Sequence, residues 1–285
     1  VAAAIVSVSV LMPVRNGALF LPQAINSILA QTLRELELIV IDDASSDATA
    51  SILRSCTDPR LRVISLDTPR GIAHALNRGI RESTGSWIAR MDADDVSMPK
   101  RLERQVAFLC RHLEVAACGT WAIDIDEEGS FLGTRQTPRG QALARNCWYP
   151  SPLIHPSVVM RAEVIREFTY DETLDAAQDY DLWFRMASRF RLANLPEYLL
   201  LYRVHRDAVT TARESAQLAR SLEIFQRHTG RAPNELDYTT PDWSLWPLQH
   251  ARSFWPAARR SGLSLTAILR HELVYARGWR AWGKQ

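Results

Sequence analysis

The sequence predicts an α/β protein: a doubly wound, mainly parallel, Rossmann-like sheet with a C-terminal helical extension. Three observations predict it. Short β-rich apolar runs alternate with amphipathic segments through about residue 125. Several of these runs end in polar or acidic residues at the point where a parallel sheet places its ligand crevice. A chain of 285 residues with 47% hydrophobic content can bury a full core, as one large domain or a domain with an appendage.

The elements follow in order. The apolar start VAAAIVSVSVLMPV lacks a basic leader and is shorter than a membrane span, so it reads as a buried first strand rather than a signal peptide. Phe20 to Gln31 then carries apolar residues at helical spacing. LELIVIDD is the second strand, followed by a helix over Ser46 to Ser55 with Ser46 and Asp47 as caps. LRVISL, the helix Ile72 to Glu82 and the strand SWIARMDADD continue the rhythm, which dictates parallel strands joined by crossover helices. PVRN, DDASSD and DADD thereby converge at the carboxyl ends of the strands. From about 126 to 160 DEEGSFLGTRQTPRG reads as a polar hairpin or loop, and WYPSPLIHPSVVMR is proline-punctuated before another strand. QDYDLWFRMASRF is helix-spaced, and RLANLPEYLLLYRVH closes a unit spanning 1–210, with halves at 1–125 and 126–210. Residues 211–285 form a Trp/Arg-rich helical extension.

Composition excludes several classes. The net charge of +2 arises from nearly balanced basic and acidic residues, so no global field favours nucleic acid. Cys56, Cys110, Cys118 and Cys147 form no C-x-x-C pair and have no histidine at zinc spacing, and they read as reduced thiols of a cytoplasmic protein. No run of about 18 apolar residues predicts a transmembrane helix. Residues 241–285 hold five of the nine tryptophans and, beyond His250, many arginines with Glu272 as the one acid. Such a segment suits peripheral contact with the inner face of a membrane, or equally a cap on the core or an oligomer contact.

The strand ends carry the chemistry. Asp42 and Asp43 can accept from a ribose hydroxyl or a base N–H, or simply form a solvated turn. PVRNGALF has a single glycine and lacks the G-x-G-x-x-G needed for close pyrophosphate approach, which disfavours a dinucleotide and leaves a mononucleotide open. Asp92, Asp94 and Asp95 repel one another, and a divalent cation resolves that; oxygen ligands suit Mg2+ or Mn2+. A calcium loop starting at Asp92 would place Glu103 at position twelve. Its sixth position is Ser97 rather than glycine, and Pro99 interrupts it. Acids favouring a helix start after Pro99 explain Asp95 better than Asp92.

VSVLMPVRNGALFLPQAINSILAQTLRELELIVIDDASSDAT, GIAHALNRGI, ARMDADDVSMPKRL, HPSVVMR and QDYDLWFRM, in this order over about residues 5–210, resemble the family 2 glycosyltransferases with the A-type glycosyltransferase fold. The resemblance implies a nucleotide-binding half (1–125) and an acceptor-side half (126–210). It implies that Asp43 contacts the base and that Pro13, Val14, Arg15 and Asn16 line the nucleoside pocket. Asn77 lies in a segment lining the donor site. The D-x-D motif maps onto Asp92, Ala93 and Asp94, with Asp92 toward the ribose and Asp94 on the Mn2+ or Mg2+ that bridges the diphosphate. The general base is Asp179; the family's usual glutamate before it is Gln178 here. An i,i+4 pair between Asp181 and Arg185 accounts for Asp181 and leaves Asp179 free. His205 resembles a late histidine that reaches the metal in some relatives, with a lid beyond it. His155 either lines or fills the cleft, and His74 is structural or on the surface.

The implied reaction is inverting transfer from a nucleotide-diphosphate sugar, uridine before thymidine or guanosine, to a saccharide, lipid-linked saccharide or protein acceptor in polysaccharide or glycoconjugate biosynthesis. A nucleotidyltransferase would show a glycine-rich basic loop after the first strand, and PVRNGALF is not one. A non-catalytic sugar-nucleotide binder would show damage at Asp94 or Asp179, and both are present.

Overall fold

The computed structural model describes residues 8–137, 151–205 and 214–230. The chain runs β1 (Val8–Val14), α1 (Leu21–Leu29), β2 (Leu36–Asp42), α2 (Thr49–Ser55), β3 (Leu61–Ser65), α3 (Ile72–Glu82) and β4 (Trp87–Arg90). It continues through β5 (Val96–Ser97), α4 (Arg101–Arg111), β6 (Val115–Ile125), β7 (Phe131–Arg135), a 3-10 turn (His155–Ser157) and β8 (Val159–Arg161). The last elements are α5 (Ala162–Phe168), α6 (Gln178–Ala187), β9 (Arg191–Arg203) and α7 (Glu214–Thr229).

One sheet has the order β3-β2-β1-β4-β8-β6-β9-β5, with β7 beside β6. Strands β3, β2, β1 and β4 are parallel to one another, as the strand–helix rhythm predicts. Beyond β4 the sheet is mixed: β8 runs antiparallel to both β4 and β6, while β6 and β9 are parallel. Period-2 alternation explains the double winding. On β1 and β2, Val10, Met12, Leu38 and Val40 join the core under α1 and α4, whereas Leu11, Ile39 and Ile41 join the one under α3, α5 and α6.

Pro13 sits inside β1 without breaking it. Pairing of β1 to β4 ends at Leu11↔Arg90, so the missing N–H falls where β1 has already left that neighbour. At the other end of the sheet Gly85 donates its N–H to Ser9 Oγ at 2.8 Å. A Cβ on Gly85 would lie 2.7 Å from Ser9 N and 2.8 Å from Ser9 Oγ, against backbone that cannot swing aside. Gly85→Ala should therefore cost about 1–3 kcal/mol by overpacking, read as a lowered urea midpoint with an unchanged slope; an unchanged midpoint would contradict this packing.

DEEGSFLGTRQ does fold as a hairpin, with β7 antiparallel to β6. In β9 the register with β6 jumps from Thr120↔Leu195 to Trp121↔Tyr198, a bulge around Pro196 after which the strand runs on to Arg203. Helix α7, in the stretch expected as a helical extension, lies on α6 through buried Ile224 and Phe225. The Trp/Arg-rich residues 241–285, the lid expected after His205, Cys147 and residues 1–7 of the expected first strand lie outside the described residues. Among the described residues no helix is long and apolar enough to cross a membrane.

Candidate active site

The loops leaving β1 and β2 are knitted together. Asn16, held at φ 53, donates its N–H to Ser45 Oγ (2.9 Å) and accepts from Ser46 N (2.8 Å) at its side-chain oxygen. The N-cap of α2 is Ala48 rather than the expected Asp47; one residue before it, Asp47 accepts from Thr49 N (2.9 Å) and from Ala18 N (3.0 Å). Ser46, the other expected cap, instead turns to Asn16. Val14 is buried, Pro13 is half-buried, and Arg15 is exposed at the mouth. Asp43, at the end of β2, accepts Arg70 N (2.7 Å) and Gly71 N (3.0 Å), fixing the entry to α3 with one carboxylate.

Asn77 departs from the expected donor contact. Its side chain is 5% exposed and its amide is committed: Oδ1 accepts Tyr170 N (2.9 Å), while Nδ2 donates to Tyr170 O (2.9 Å) and Glu172 Oε1 (2.8 Å). It pins the 170–172 segment as a strand neighbour would. His74 joins it at Glu172 Oε2 (2.8 Å), in the structural role expected of it.

The carboxylates of Asp92, Asp94 and Asp95 offer oxygens within 4.8 Å of one another. Ala93 is the half-buried residue between the first two. Asp92 pairs with buried Arg90, and Asp94 Oδ2 lies 2.9 Å from His205 Nε2. Asp95 is 1% exposed; Oδ1 accepts Arg203 N at 2.8 Å, and Oδ2 has no hydrogen-bond partner among the described residues. Burial pushes the Asp95 carboxyl well above its usual range, and the charges of Asp94 and Asp92 push it further. Burial likewise raises Asp92, only partly offset by Arg90. One buried and one half-buried carboxylate held above their normal pKa, an orphaned oxygen and an imidazole nitrogen beside them form a donor set of the kind a divalent cation completes.

Across the crevice, α6 begins after Ala177, which sits at φ 55. Asp179, in its first turn, is half-buried, and burial raises its pKa while backbone N–H groups at Tyr180 and Asp179 itself pull it back. Asp181 is engaged as the i,i+4 spacing predicts, by Arg185 at 2.7 Å and also by His228 at 2.9 Å. Asp179 is left to face Asp92, whose pKa its charge helps to raise. His155 is half-buried: Nε2 lies 2.8 Å from the Tyr170 hydroxyl, its ring packs on Trp183, and loss of solvent drives its pKa well down.

Three participants were missed by sequence reading. Arg90 lies under Asp92, Arg203 behind Asp94 and Asp95, and Tyr170 between His155 and the carboxylates. An arginine inside the apolar strand WIAR, directly before three acids, was the available signal for the first.

A family model described as glycosyl transferase family 2 matches residues 9–168. EpsE of Bacillus subtilis (strain 168) is 32% identical over 88% of this chain and 90% of its own. The O-antigen biosynthesis glycosyltransferase WbnJ of Escherichia coli is 32% identical over 70% of this chain and 80% of its own. The amylovoran biosynthesis glycosyltransferase AmsE of Erwinia amylovora is 30% identical over 72% and 79%. Among solved structures, S. aureus TarS in complex with UDP superposes with TM-score 0.61 at 20% identity, over 85% of this chain and 77% of that one. The mannosyltransferase PcManGT from Pyrobaculum calidifontis, with GDP-Man and Mn2+, gives TM-score 0.62 at 21% identity, over 96% and 82%. These likenesses show the A-type glycosyltransferase fold.

Proposed function

The chain belongs to glycosyl transferase family 2, and from that premise we propose that it moves a sugar from a nucleoside diphosphate sugar to an acceptor hydroxyl with inversion at the anomeric carbon. The observation that carries this reading is the nearness of a separate carboxylate, Asp179 in the first turn of α6, to the Asp92–Asp94–Asp95 cluster, close enough for its charge to raise Asp92. Pro13, Val14, Arg15, Asn16 and Asp43 receive the nucleoside, and Asp92 faces the ribose. Asp94, with His205 beside it, holds Mn2+ or Mg2+. A cation bound there supplies Lewis-acid neutralisation of the departing diphosphate. Asp179 takes the acceptor's proton as its oxygen attacks the face opposite the leaving group, so no covalent enzyme nucleophile is needed. Asn77 acts through Tyr170 and Glu172 rather than on the donor.

Uridine diphosphate is the proposed carrier; the related folds bind UDP in one case and GDP-Man in another. Relatives named for amylovoran and O-antigen biosynthesis support a place in polysaccharide assembly, with a saccharide or lipid-linked saccharide as acceptor. Incubating the protein with a panel of sugar nucleotides and acceptors, with Mn2+ or with excess chelator, tests the reading. Release of nucleoside diphosphate that depends on the cation is expected. Release of pyrophosphate would instead identify a nucleotidyltransferase, and binding without any release a non-catalytic receptor.

A further inference from the structure

Arg203 ends β9 with its side chain 2% exposed, and every part of it is engaged. Its backbone N–H donates to Asp95 Oδ1 at 2.8 Å, and Nε donates to the Asp94 carbonyl at 2.8 Å. Nη1 donates to the carbonyls of Asp126 (2.8 Å) and Glu127 (2.9 Å) in the β6–β7 turn, and Nη2 to Gln23 Oε1 (2.6 Å) on α1. The guanidinium also stacks 4.5 Å over the Phe20 ring, and that ring packs 5.1 Å from His205. One side chain therefore ties together the acidic loop, the hairpin turn, the start of α1 and the ring beside His205. His205 and Asp94 meet at 2.9 Å only because the loop and the strand end are locked in this register.

We infer that Arg203 is a positioning residue for the divalent cation: it holds the backbone of Asp94 and the carboxylate of Asp95 against β9, so that Asp94 and His205 stand preformed as a ligand pair. The inference rests on the metal reading given above and adds to it a residue that touches neither cation nor sugar. Groups that orient ligands in this way typically contribute 10–100-fold in metal affinity. A lysine could not replace the fork. It keeps the charge but offers its donors from a single point on a flexible stem, and the four acceptors of the guanidinium here lie in different directions around a planar group.

Arg203→Lys separates geometry from charge for that reason. Mn2+ binding to the full chain without nucleotide, followed by the loss of the free-ion EPR signal, should weaken by about 10- to 100-fold, with far-UV circular dichroism like that of the wild type. Wild-type affinity in a folded Arg203→Lys protein would overturn the proposal while leaving the metal reading intact, provided Asp94→Ala loses the ion. A wild-type protein that binds no Mn2+ would remove the metal reading and this inference together. Should Arg203→Lys fail to fold, Gln23→Ala decides: Gln23 is exposed and its loss frees one arm of the fork. A several-fold weaker Mn2+ affinity there supports the role, and an unchanged one overturns it.

Discussion

Asp94→Ala is expected to abolish sugar transfer while leaving the protein folded. The side chain is about one-third exposed, and its ion-pair partner among the described residues is His205, which keeps some contact with solvent. Truncation also removes a charge that raises both Asp92 and Asp95, which relieves repulsion in the native state. The thermal midpoint should accordingly stay near that of the wild type. Activity should not, because the diphosphate would depart without the Lewis acid that several kcal/mol of transition-state stabilisation depend on; about 4 kcal/mol corresponds to about 10³-fold in rate. Asp95 cannot take over from its buried position, where one oxygen is already held by Arg203 N. Chelation should inactivate the wild type in the same way, and added Mn2+ should restore it. Turnover undiminished in excess chelator would sink the assignment of a metal to this site.

What the sequence made legible was the part governed by local periodicity. LELIVID is apolar at nearly every position because β2 is covered on both faces, and acids appear where it emerges into the crevice. β6 escaped notice for the opposite reason. Its sequence VAACGTWAIDI is rich in small residues rather than β-branched ones, because it is crowded by β8 and β9 on either side and a residue larger than Gly119 would meet Asn194 Oδ1 at 2.4 Å. Helix α4 was read only as a helix start after Pro99, and the two-residue β5 was unread because it is too short to show a period. The antiparallel turn of β8 could not be read, since three residues carry no sign of direction.

In the site, residue types and position pointed to the acids at the ends of β2 and β4, Asp42 and Asp43, Asp92, Asp94 and Asp95, while the roles of Asp43 and Asp179 came from the resemblance to the family. Arg203 was invisible because its partners are remote in sequence: it reaches back 109 residues to the Asp94 carbonyl and 180 to Gln23. The bonds of Asn77 were hidden by a similar limit. The resemblance put it in a segment lining the donor site, but only the fold brings Tyr170, 93 residues on, against its amide.

Asp179→Asn separates binding from chemistry at one residue. Asparagine keeps the size of the side chain and an oxygen for the N–H groups at the start of α6, but it cannot accept the acceptor's proton. Donor affinity should survive. Turnover should fall by roughly 10²- to 10⁴-fold, the usual contribution of a positioned acid or base, or about 3 to 5 kcal/mol. Stability should move the other way, if at all. Burial raises the folded-state pKa of Asp179, so its ionised form is disfavoured in the native state and costs stability above that pKa; the neutral amide removes the cost. The thermal midpoint at neutral pH should therefore hold or rise as the rate collapses. A purely structural Asp179 would leave both nearly unchanged, because asparagine serves a helix start about as well as aspartate. Gln178→Glu, which restores the family's usual pair at a buried position, should alter the rate only modestly, since the second carboxylate does not touch the transferred proton. Sugar-nucleotide affinity and single-turnover rates on both variants provide the test. A near-wild-type rate for Asp179→Asn would remove the base assignment, and donor affinity lost in step with rate would move this residue into the donor site.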